Sequence, residues 1–564
     1  MRKKVYKIRP YHFLNYLIIL LLLVSCGQAR YTIFHGGPIL TMDQDFQSRE
    51  GLSVIVKGEK IHSVRAFDTI DEDLLKKAKK VSLEGNLLMP GLIESHGHLF
   101  NLGQSQLGLS LRGIKSKEAV LERISQYASS LKEGEWLFGQ GWDQSDWAGQ
   151  GFPTAKELDQ ILPNNPAVLF RVGGHTAWLN SRSLELAGID QTTADPVGGK
   201  IVRDIDGDPT GILVDNAMNL IKESVDANRG KNPIKIMKAG QKEAFRNGIT
   251  TFHDLAFPSN RLFIYKWLQR FGILKINLHV YLLADKNLEK YITQNPPKSL
   301  SSGRLTIGAI KVFYDGAMGS FGALLSEPYS DNPGNSGLQT TRDETLARIA
   351  QLAKENGFQL AVHAIGDLAN SKTLDIFEKT IGKDSRNVYR WRIEHAQFLQ
   401  PEDIGRVAEN HYIPSMQPRH ATSDMKWVES RLGRERAQTT YAWRSLIKAG
   451  AIVPGGSDAP VEPVNPFWGM YAAETRQDHL GRPAGGFIPQ ERITRSQALQ
   501  MYTIWGAFAG FKENEIGKLK KGYQADLIIL DKDISRAPIK DLLNTQVLRT
   551  YVRGEQVFDK TGFE

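Results

Sequence analysis

Apolar and polar residues alternate in short runs at both ends of the chain, and this pattern predicts two groups of β-strands. The first group runs from Tyr31 to about Ser82, and the second begins at Ala525. Both groups are rich in β-branched residues and are interrupted by Gly, Pro or charged turns. The pattern predicts one small β-sandwich domain that residues 26–88 and 511–564 build together.

Between these ends, apolar strand-like runs alternate with helix-compatible segments, which is typical of a parallel α/β domain. Several of the runs end on His or Asp. In a TIM-like barrel the carboxyl ends of the strands converge on the active site, so this placement favours a catalytic (β/α)8 barrel over residues 89–510. The predicted strands are Leu92–His98, Ile249–Asp254, Ile276–Leu283, Leu305–Asp315, Gln359–His363, Arg390–His395, Tyr412–Gln417 and Ala451–Asp458.

The connection between the first two predicted barrel strands is unusually long. About 150 residues separate His98 from Ile249, far more than the helix of a single βα unit requires. We therefore predict a large insertion, covering about residues 110–245, that lies over the mouth of the barrel after its first strand.

Composition indicates which class of protein this is and excludes some others. The chain has 564 residues, 41% hydrophobic and 24% charged, which is ordinary for a folded globular protein and excludes a long disordered chain. The net charge is +9, but five positive residues and no acid precede residue 26, which leaves +4 for the rest. So small a charge does not support a nucleic-acid partner. The five are Arg2, Lys3, Lys4, Lys7 and Arg9.

The N-terminus resembles a bacterial lipoprotein signal. The apolar run from Leu17 to Val24 is much shorter than the roughly 20 residues that span a bilayer, and it suits a signal-peptide core. Cys26, the only cysteine, follows it. We expect residues 1–25 to be removed and Cys26 to be lipidated, so that a lipid anchor holds the protein in the bacterial cell envelope, on the periplasmic or outer side. The alternative is a plain secretory peptide with an incidental cysteine.

The histidines predict a metal site. His96 and His98 lie two residues apart on a strand, so both imidazoles point to the same side and can reach one ion. An HxH pair alone is a weak signal, but His363, His395 and Asp458 each end a later predicted strand. Four His and one Asp can form a zinc-type site that keeps an open coordination position.

Lys311 is unusual because it lies within an apolar run that should be buried. A buried lysine is costly unless it is paired, neutralised or modified. Carbamylation by CO2 would turn its ammonium into a carboxylate able to bridge two ions. Alternatively, Lys311 remains an amine that pairs with Asp315 or with an acid of the substrate.

Other residues are weaker candidates for the site. Asp458 could act as general acid/base beside the metal, or it could merely cap a helix. His175, flanked by glycines within the insertion, could bind a substrate carbonyl or oxyanion, or it could be a turn residue. Trp142 could line a substrate pocket, although aromatic residues more often belong to a core. His253 could support the ligands, with a structural role as the alternative.

Together these motifs resemble the metal-dependent amidohydrolase superfamily. The resemblance rests on the segment from Met89 to His98, on His363 and His395, and on Gly456-Ser-Asp458. Segments such as Gly139-Gln-Gly-Trp142, Lys311-Val-Phe-Tyr-Asp-Gly316 and Ile393-Glu-His395 are similar to the amidohydrolase-3 branch, which includes N-substituted formamide deformylases. The similarity covers nearly everything after residue 30.

The resemblance implies a site and a reaction. His96, His98 and Asp458 would hold a first zinc ion, His363 and His395 a second, and carbamylated Lys311 would bridge them. The implied activity is cleavage of the C–N bond of a small amide-type substrate by metal-activated hydroxide. Two alternatives stay open: a mononuclear deaminase-type hydrolase of the same fold, and a surface lipoprotein that binds a ligand without catalysis.

Overall fold

The computed structural model describes residues 31–44, 46–148, 151–228, 232–299, 303–382 and 388–562. The predicted signal peptide and Cys26 lie outside these residues. The strands are β1 (Tyr31–His35), β2 (Leu52–Lys57), β3 (Lys60–Ala66), β4 (Lys79–Ser82), β5 (Leu87–Pro90), β6 (Leu92–Gly97), β7 (Leu109–Ser110), β8 (Leu137–Trp142), β9 (Ala167–Arg171), β10 (Thr176–Leu179), β11 (Gly199–Arg203), β12 (Pro209–Asp215), β13 (Ile249–Phe257), β14 (Asn277–Leu283), β15 (Lys298–Ser299), β16 (Leu305–Phe313), β17 (Gln359–Ala364), β18 (Arg392–His395), β19 (Ile413–Ser415), β20 (Leu527–Leu530), β21 (Val547–Val552) and β22 (Glu555–Asp559).

Helices connect most of these strands. The α-helices are α1 (Glu72–Lys77), α2 (Leu99–Leu107), α3 (Lys117–Ala128), α4 (Ala155–Asp159), α5 (Ser181–Ala187), α6 (Lys222–Asn228), α7 (Pro233–Arg246), α8 (Leu262–Arg270), α9 (Leu288–Gln294), α10 (Asp343–Glu355), α11 (Asp367–Ile381), α12 (Pro401–Glu409), α13 (Pro418–Asp424), α14 (Val428–Ala437), α15 (Trp443–Ala449), α16 (Pro466–Thr475), α17 (Arg495–Met501) and α18 (Ile504–Ala509). None of the helices in the described ranges is both long and apolar enough to cross a membrane.

A nearly closed parallel barrel forms the centre of the molecule. Seven strands pair in chain order, β6, β13, β14, β16, β17, β18 and β19, and every pair is parallel. The segment before Asp458 lies between the two edge strands. Met416 forms a parallel bridge with Gly455, and the Ser95 amide donates to the Gly455 carbonyl at 3.2 Å. The fold is therefore mixed α/β, and the carboxyl ends of the barrel strands meet at one mouth.

The helices bury an apolar stripe against the outer surface of the barrel. Helix α10 is an example, because its buried residues Leu346, Ile349, Ala350 and Ala353 follow the three- and four-residue spacing of a helix face. The strands are apolar along most of their length, since the helices cover one face and the barrel interior the other. Polar side chains are left to the strand ends and to one buried cluster inside the barrel.

Residues from both ends of the chain form two four-stranded sheets. One has the order β3-β2-β1-β4, and the other has the order β22-β21-β20-β5. Phe34, Val54, Leu88, Leu527 and Tyr551 belong to one buried apolar cluster that both sheets share. The chain leaves β5 through Gly91 and enters β6, so this β-rich part is directly continuous with the barrel.

The long connection after β6 folds as a unit with its own sheet. The sheet has the order β11-β12-β10-β9-β8-β7 and lies between Leu109 and Asp215 in the chain. It buries two apolar clusters of its own, one around Trp142 and Trp178 and another around Leu179 and Leu213. The unit can therefore hold side chains rigidly over the barrel mouth.

Close packing of α2 against α7 gives a first prediction. A methyl group added at Gly103 would lie 2.1 Å from the backbone oxygen of Ile236, whereas one added at Gly405 in α12 meets nothing within 4 Å. We expect Gly103→Ala to destabilise the protein by about 1–3 kcal/mol through overpacking. Gly405→Ala is the matched control and should be neutral or stabilise by up to about 1 kcal/mol. Thermal unfolding checks this, and a Tm for Gly103→Ala at or above that of Gly405→Ala would contradict it.

Candidate metal centre

Three buried side chains from different parts of the barrel converge at its mouth. Ligand atoms of His96, at the end of β6, His395, at the end of β18, and Asp458 all lie within 4.8 Å of one another. His98 adjoins them, with its Nε2 at 3.0 Å from Asp458 Oδ1. These are the nitrogen and oxygen donors that zinc prefers, at a separation that one ion can bridge.

His363 and Lys311 extend this group along the neighbouring strands. The His363 ring lies 4.5 Å from that of His395, and neither of its nitrogens has a hydrogen-bond partner among the described residues. Lys311 Nζ, fully buried on β16, lacks such a partner as well. Burial lowers the pKa of Lys311 to about 8. Buried polar atoms without partners are costly, so the donor set fits bound metal, with Lys311 available for modification.

The three candidate ligand histidines are each held through Nδ1. His96 Nδ1 lies 2.5 Å from Glu394 Oε2, His395 Nδ1 lies 2.8 Å from Gln417 Oε1, and His98 Nδ1 lies 2.9 Å from the backbone oxygen of Leu255. Each Nδ1–H therefore donates outward, and the Nε2 atoms of His96 and His98 lie 3.5 and 3.0 Å from Asp458 Oδ1. Such outer contacts fix the tautomer and orientation of metal-binding histidines.

Strained backbone places two of these residues. His395 has a φ of 77° and Asp458 a φ of 57°, both in the left-handed region that non-glycine residues rarely adopt. Consecutive residues of a regular strand point to opposite sides, yet Glu394 and His395 both contact His96. The turn of the backbone at His395 makes this possible. Strain of this kind concentrates at functional sites.

Charge is balanced by a network inside the barrel. Burial raises the pKa of Glu394, but the Arg392 guanidinium, 2.6 Å away, outweighs it and holds the pKa well below its usual range. Burial likewise acts to raise the pKa of Asp458, but His96 and His98 outweigh this effect and hold the pKa below its usual range. Both carboxylates are therefore ionised at neutral pH, and burial lowers the pKa of His96 to about 4, so its ring is neutral and able to bind metal.

The inserted unit contributes His175. Its ring lies 5.1 Å from that of His363, and its Nδ1 is 2.7 Å from Asp215 Oδ1. Burial acts to lower the pKa of His175, but the bond to Asp215 raises it overall. His175 lines the same cavity as the candidate metal ligands.

Trp142 is not part of the cavity wall, contrary to the expectation of a substrate contact. Its indole is fully buried in the core of the inserted unit, where it stacks on Trp147. Its Nε1 donates to the Leu169 carbonyl. His253 lies inside the barrel, where its Nδ1 is 3.1 Å from the Arg392 guanidinium. It supports the buried network and does not join the ligands.

Sequence reasoning missed the residues that orient the histidines. Glu394 lies directly before His395, and Gln417 ends the predicted strand Tyr412–Gln417. Because consecutive residues of a strand point to opposite sides, nothing in the sequence indicated that Glu394 faces the same side as His395. Nothing in the sequence links Asp215 to His175, which lies 40 residues away. Only the pairing of β10 with β12 brings those two together.

A large cavity opens onto the cluster. It has a volume of about 920 Å³, and its wall includes His98, His175, Lys311, His363 and Asp458. The size and the convergent polar groups are typical of a site for a small organic molecule.

Comparison with known proteins identifies the family. Residues 79–558 match the profile of the amidohydrolase family. The chain is 34% identical to YtcJ of Bacillus subtilis strain 168 over 94% of this chain and 99% of that protein. It is 27% identical to N-substituted formamide deformylase of Arthrobacter pascens, over 90% of this chain and 95% of that enzyme.

A solved structure agrees. The crystal structure of an uncharacterized metal-dependent hydrolase from Pyrococcus horikoshii OT3 matches with a TM-score of 0.74 at 28% identity, covering 90% of this chain and 99% of the other. The resemblance predicted from the motifs is thereby confirmed. The chain belongs to the amidohydrolase family and is a metal-dependent hydrolase that acts on C–N bonds.

Proposed function

We propose that the protein hydrolyses the C–N bond of a small amide-type substrate, using two zinc ions. The observation that carries this proposal is the buried group of His96, His395 and Asp458 beneath a cavity large enough for an organic substrate. The relative that deformylates N-substituted formamides supports an amide-type bond. Hydrolysis consumes one water and yields a carboxylic acid and an amine.

The donor set suggests how two ions would be held. His96, His98 and Asp458 would hold the first ion, and His363 and His395 the second. When bound, zinc polarises a carbonyl and lowers the pKa of water. Neutral Lys311 Nζ can add to CO2, forming an N–C bond and releasing one proton, and the resulting carboxylate would lie between the two ions. The unpartnered Nζ and the lowered pKa of Lys311 both support this modification.

The chain's own residues supply proton transfer and orientation. Asp458 is ionised, so it can accept a proton from the attacking water and pass it to the leaving nitrogen. His175, held at Nδ1 by Asp215, presents Nε2 to the substrate oxygen, where a protonated ring would stabilise the negative charge that develops.

A second candidate is a mononuclear deaminase-type hydrolase that attacks a ring or amidine carbon. It is favoured by the tight grouping of only three ligands, His96, His395 and Asp458, within 4.8 Å. Three protein ligands and an open position suffice for one catalytic zinc ion. In that case Lys311 would remain an unmodified amine.

The wider organisation belongs to the same proposal. We propose that the segment before Asp458 acts as the eighth strand of a (β/α)8 barrel, and that the two terminal sheets form a β-sandwich domain. We also propose that lipidated Cys26 anchors the mature protein in the bacterial cell envelope. The basic start, the short apolar run and the lone cysteine support this anchor.

Amine release from simple amides tests the reaction. Zinc-loaded protein should release amine from N-substituted formamides or acetamides, and a chelator should abolish the activity. Asp458→Asn should lower kcat by about 10²–10⁴-fold because the proton carrier is lost. Asp403→Asn is the matched control, since this aspartate is also buried but pairs with Arg406 on α12. Amine release that survives in Asp458→Asn or in chelator would contradict the proposal.

Zinc reloading tests the role of Lys311. Chelator-stripped protein given zinc without CO2 should bind about one ion per chain, and added bicarbonate should raise this to about two, because a carbamate supplies the missing ligand. Lys311→Met, which keeps the length but cannot react, should stay at the lower value. Metal analysis of desalted protein measures both. A bicarbonate effect that persists in Lys311→Met would contradict the bridging role, and equal loading in every case would favour the mononuclear alternative.

A further inference from the structure

A second cavity of about 800 Å³ opens onto the same centre as the first. His175, His363, His395 and Asp458 line both cavities, so the two spaces extend from the reacting position in different directions. The first cavity carries the amide side chains of Asn101, Asn219 and Asn287 in its wall. A substrate whose reacting bond lies at the junction can therefore place a separate group in each cavity.

Aromatic and sulfur-containing side chains line the second cavity. They come from separate elements: Met318 follows β16, Trp427 precedes α14, Trp468 lies on α16, and Phe487 lies in the loop after α16. Planar aromatic rings and a flexible thioether make favourable contacts with another ring. The wall therefore offers an apolar surface to a ligand.

These rings are held in place before any ligand arrives. Trp468 Nε1 donates to the Leu543 carbonyl at 3.1 Å, His479 stacks on its ring, and the Arg419 guanidinium lies 5.2 Å over it. The Phe487 amide donates to the Arg476 carbonyl at 2.8 Å. A preformed wall loses little conformational entropy on binding, which increases affinity.

Charged groups around the second cavity are paired with each other. Arg419 lies 3.3 Å from Glu462, Arg171 lies 2.7 Å from Asp143, and Lys426 lies 2.8 Å from Asp146. Since each of these charges has an opposite charge beside it, the cavity does not require a charged ligand, although the buried Arg419 Nε has no hydrogen-bond partner among the described residues. The apolar surface of the wall therefore determines which ligand binds.

A buried donor group lies at the inner end of the second cavity, beside Asp458. His420 is only 6% exposed, and Gln397 Nε2 donates to its Nδ1 at 3.1 Å, which puts the ring proton on Nε2. His420 lines the cavity, and its Nε2 lies 4.0 Å from Asp458 Oδ2 and has no hydrogen-bond partner among the described residues. A polar inner end and an apolar outer wall are typical of a ligand site.

We propose that the second cavity is a subsite for an aromatic group carried on one side of the substrate's reacting amide, with the His420 Nε2–H donating to a substrate oxygen at the inner end. This inference rests on the proposed amide hydrolysis and narrows its substrate class. It favours amides with an aromatic ring a few bonds from the C–N bond over small aliphatic amides.

Two isomeric amides test the subsite on zinc-loaded protein. N-(2-phenylethyl)acetamide carries the ring on the amine side, N-methyl-3-phenylpropanamide carries it on the acyl side, and N-methylacetamide has none. We expect one of the aromatic isomers to exceed N-methylacetamide in kcat/KM by about ten- to a hundred-fold, as burial of a phenyl ring implies. The preferred isomer identifies which side of the bond faces the second cavity.

Variants test whether the second cavity causes the aromatic preference. Phe487→Ala should remove most of the aromatic preference, measured as the ratio of kcat/KM for the preferred aromatic amide to kcat/KM for N-methylacetamide. Phe263→Ala is the matched control, because that ring is 66% exposed on α8 and lines neither cavity. Trp468→Phe serves as a milder second variant if Phe487→Ala lowers the Tm. Equal kcat/KM for all three amides, or a preference that survives both variants, would overturn the proposal.

A ketone that cannot be hydrolysed separates this proposal from the reaction itself. Calorimetric titration should show 5-phenylpentan-2-one binding at least about ten-fold more tightly than butan-2-one, with the difference lost in Phe487→Ala. This result would support the subsite even if no amide were cleaved, in which case the proposed reaction alone would fail. Equal binding of the two ketones would overturn the subsite.

Discussion

The metal centre depends on one buried ion pair inside the barrel, between Arg392 and Glu394. The guanidinium donates to both oxygens of Glu394, to the Tyr281 hydroxyl, to the Ser95 carbonyl and to Ser415 Oγ. It thereby joins β18 to β14, β6 and β19. A buried charge is tolerated only when it is paired and its hydrogen bonds are satisfied, and Arg392 meets both conditions. Because Glu394 is fixed in this way, its other contact, with His96 Nδ1, is fixed as well.

Further hydrogen bonds hold the side chains of the site in position before any ligand binds. Arg392 holds Glu394, Glu394 holds His96, and Gln417 does the same for His395. The inserted unit adds a separate pair, His175 and Asp215. The barrel thus sets the ligands, whereas the insertion and the helices after β18 shape the two cavities. Substrate choice can change in those outer elements without disturbing the network beneath.

Much of this architecture is readable from the sequence because the barrel strands are apolar runs that end on chemistry-bearing residues. His96, His363, His395 and Asp458 stand out for that reason, and Lys311 stands out as a charge within an apolar run. Residues that act through others give no such signal. Glu394 and His395 both contact His96 because the backbone turns at His395, and Asp215 reaches His175 only through strand pairing. The sequence could not decide whether Trp142 lines a pocket, because an aromatic residue beside a glycine-rich segment suits a core as well as a pocket wall.

The proposed function requires that the buried donors hold two zinc ions side by side. Anomalous diffraction at the zinc edge, from crystals of the chain grown with zinc and bicarbonate, tests it most directly. We predict two peaks, one at about 2.0–2.3 Å from ligand atoms of His96, His98 and Asp458, and the other at similar distances from His363 and His395. Peaks confined to surface residues, or a barrel mouth with no anomalous peak, would contradict the account.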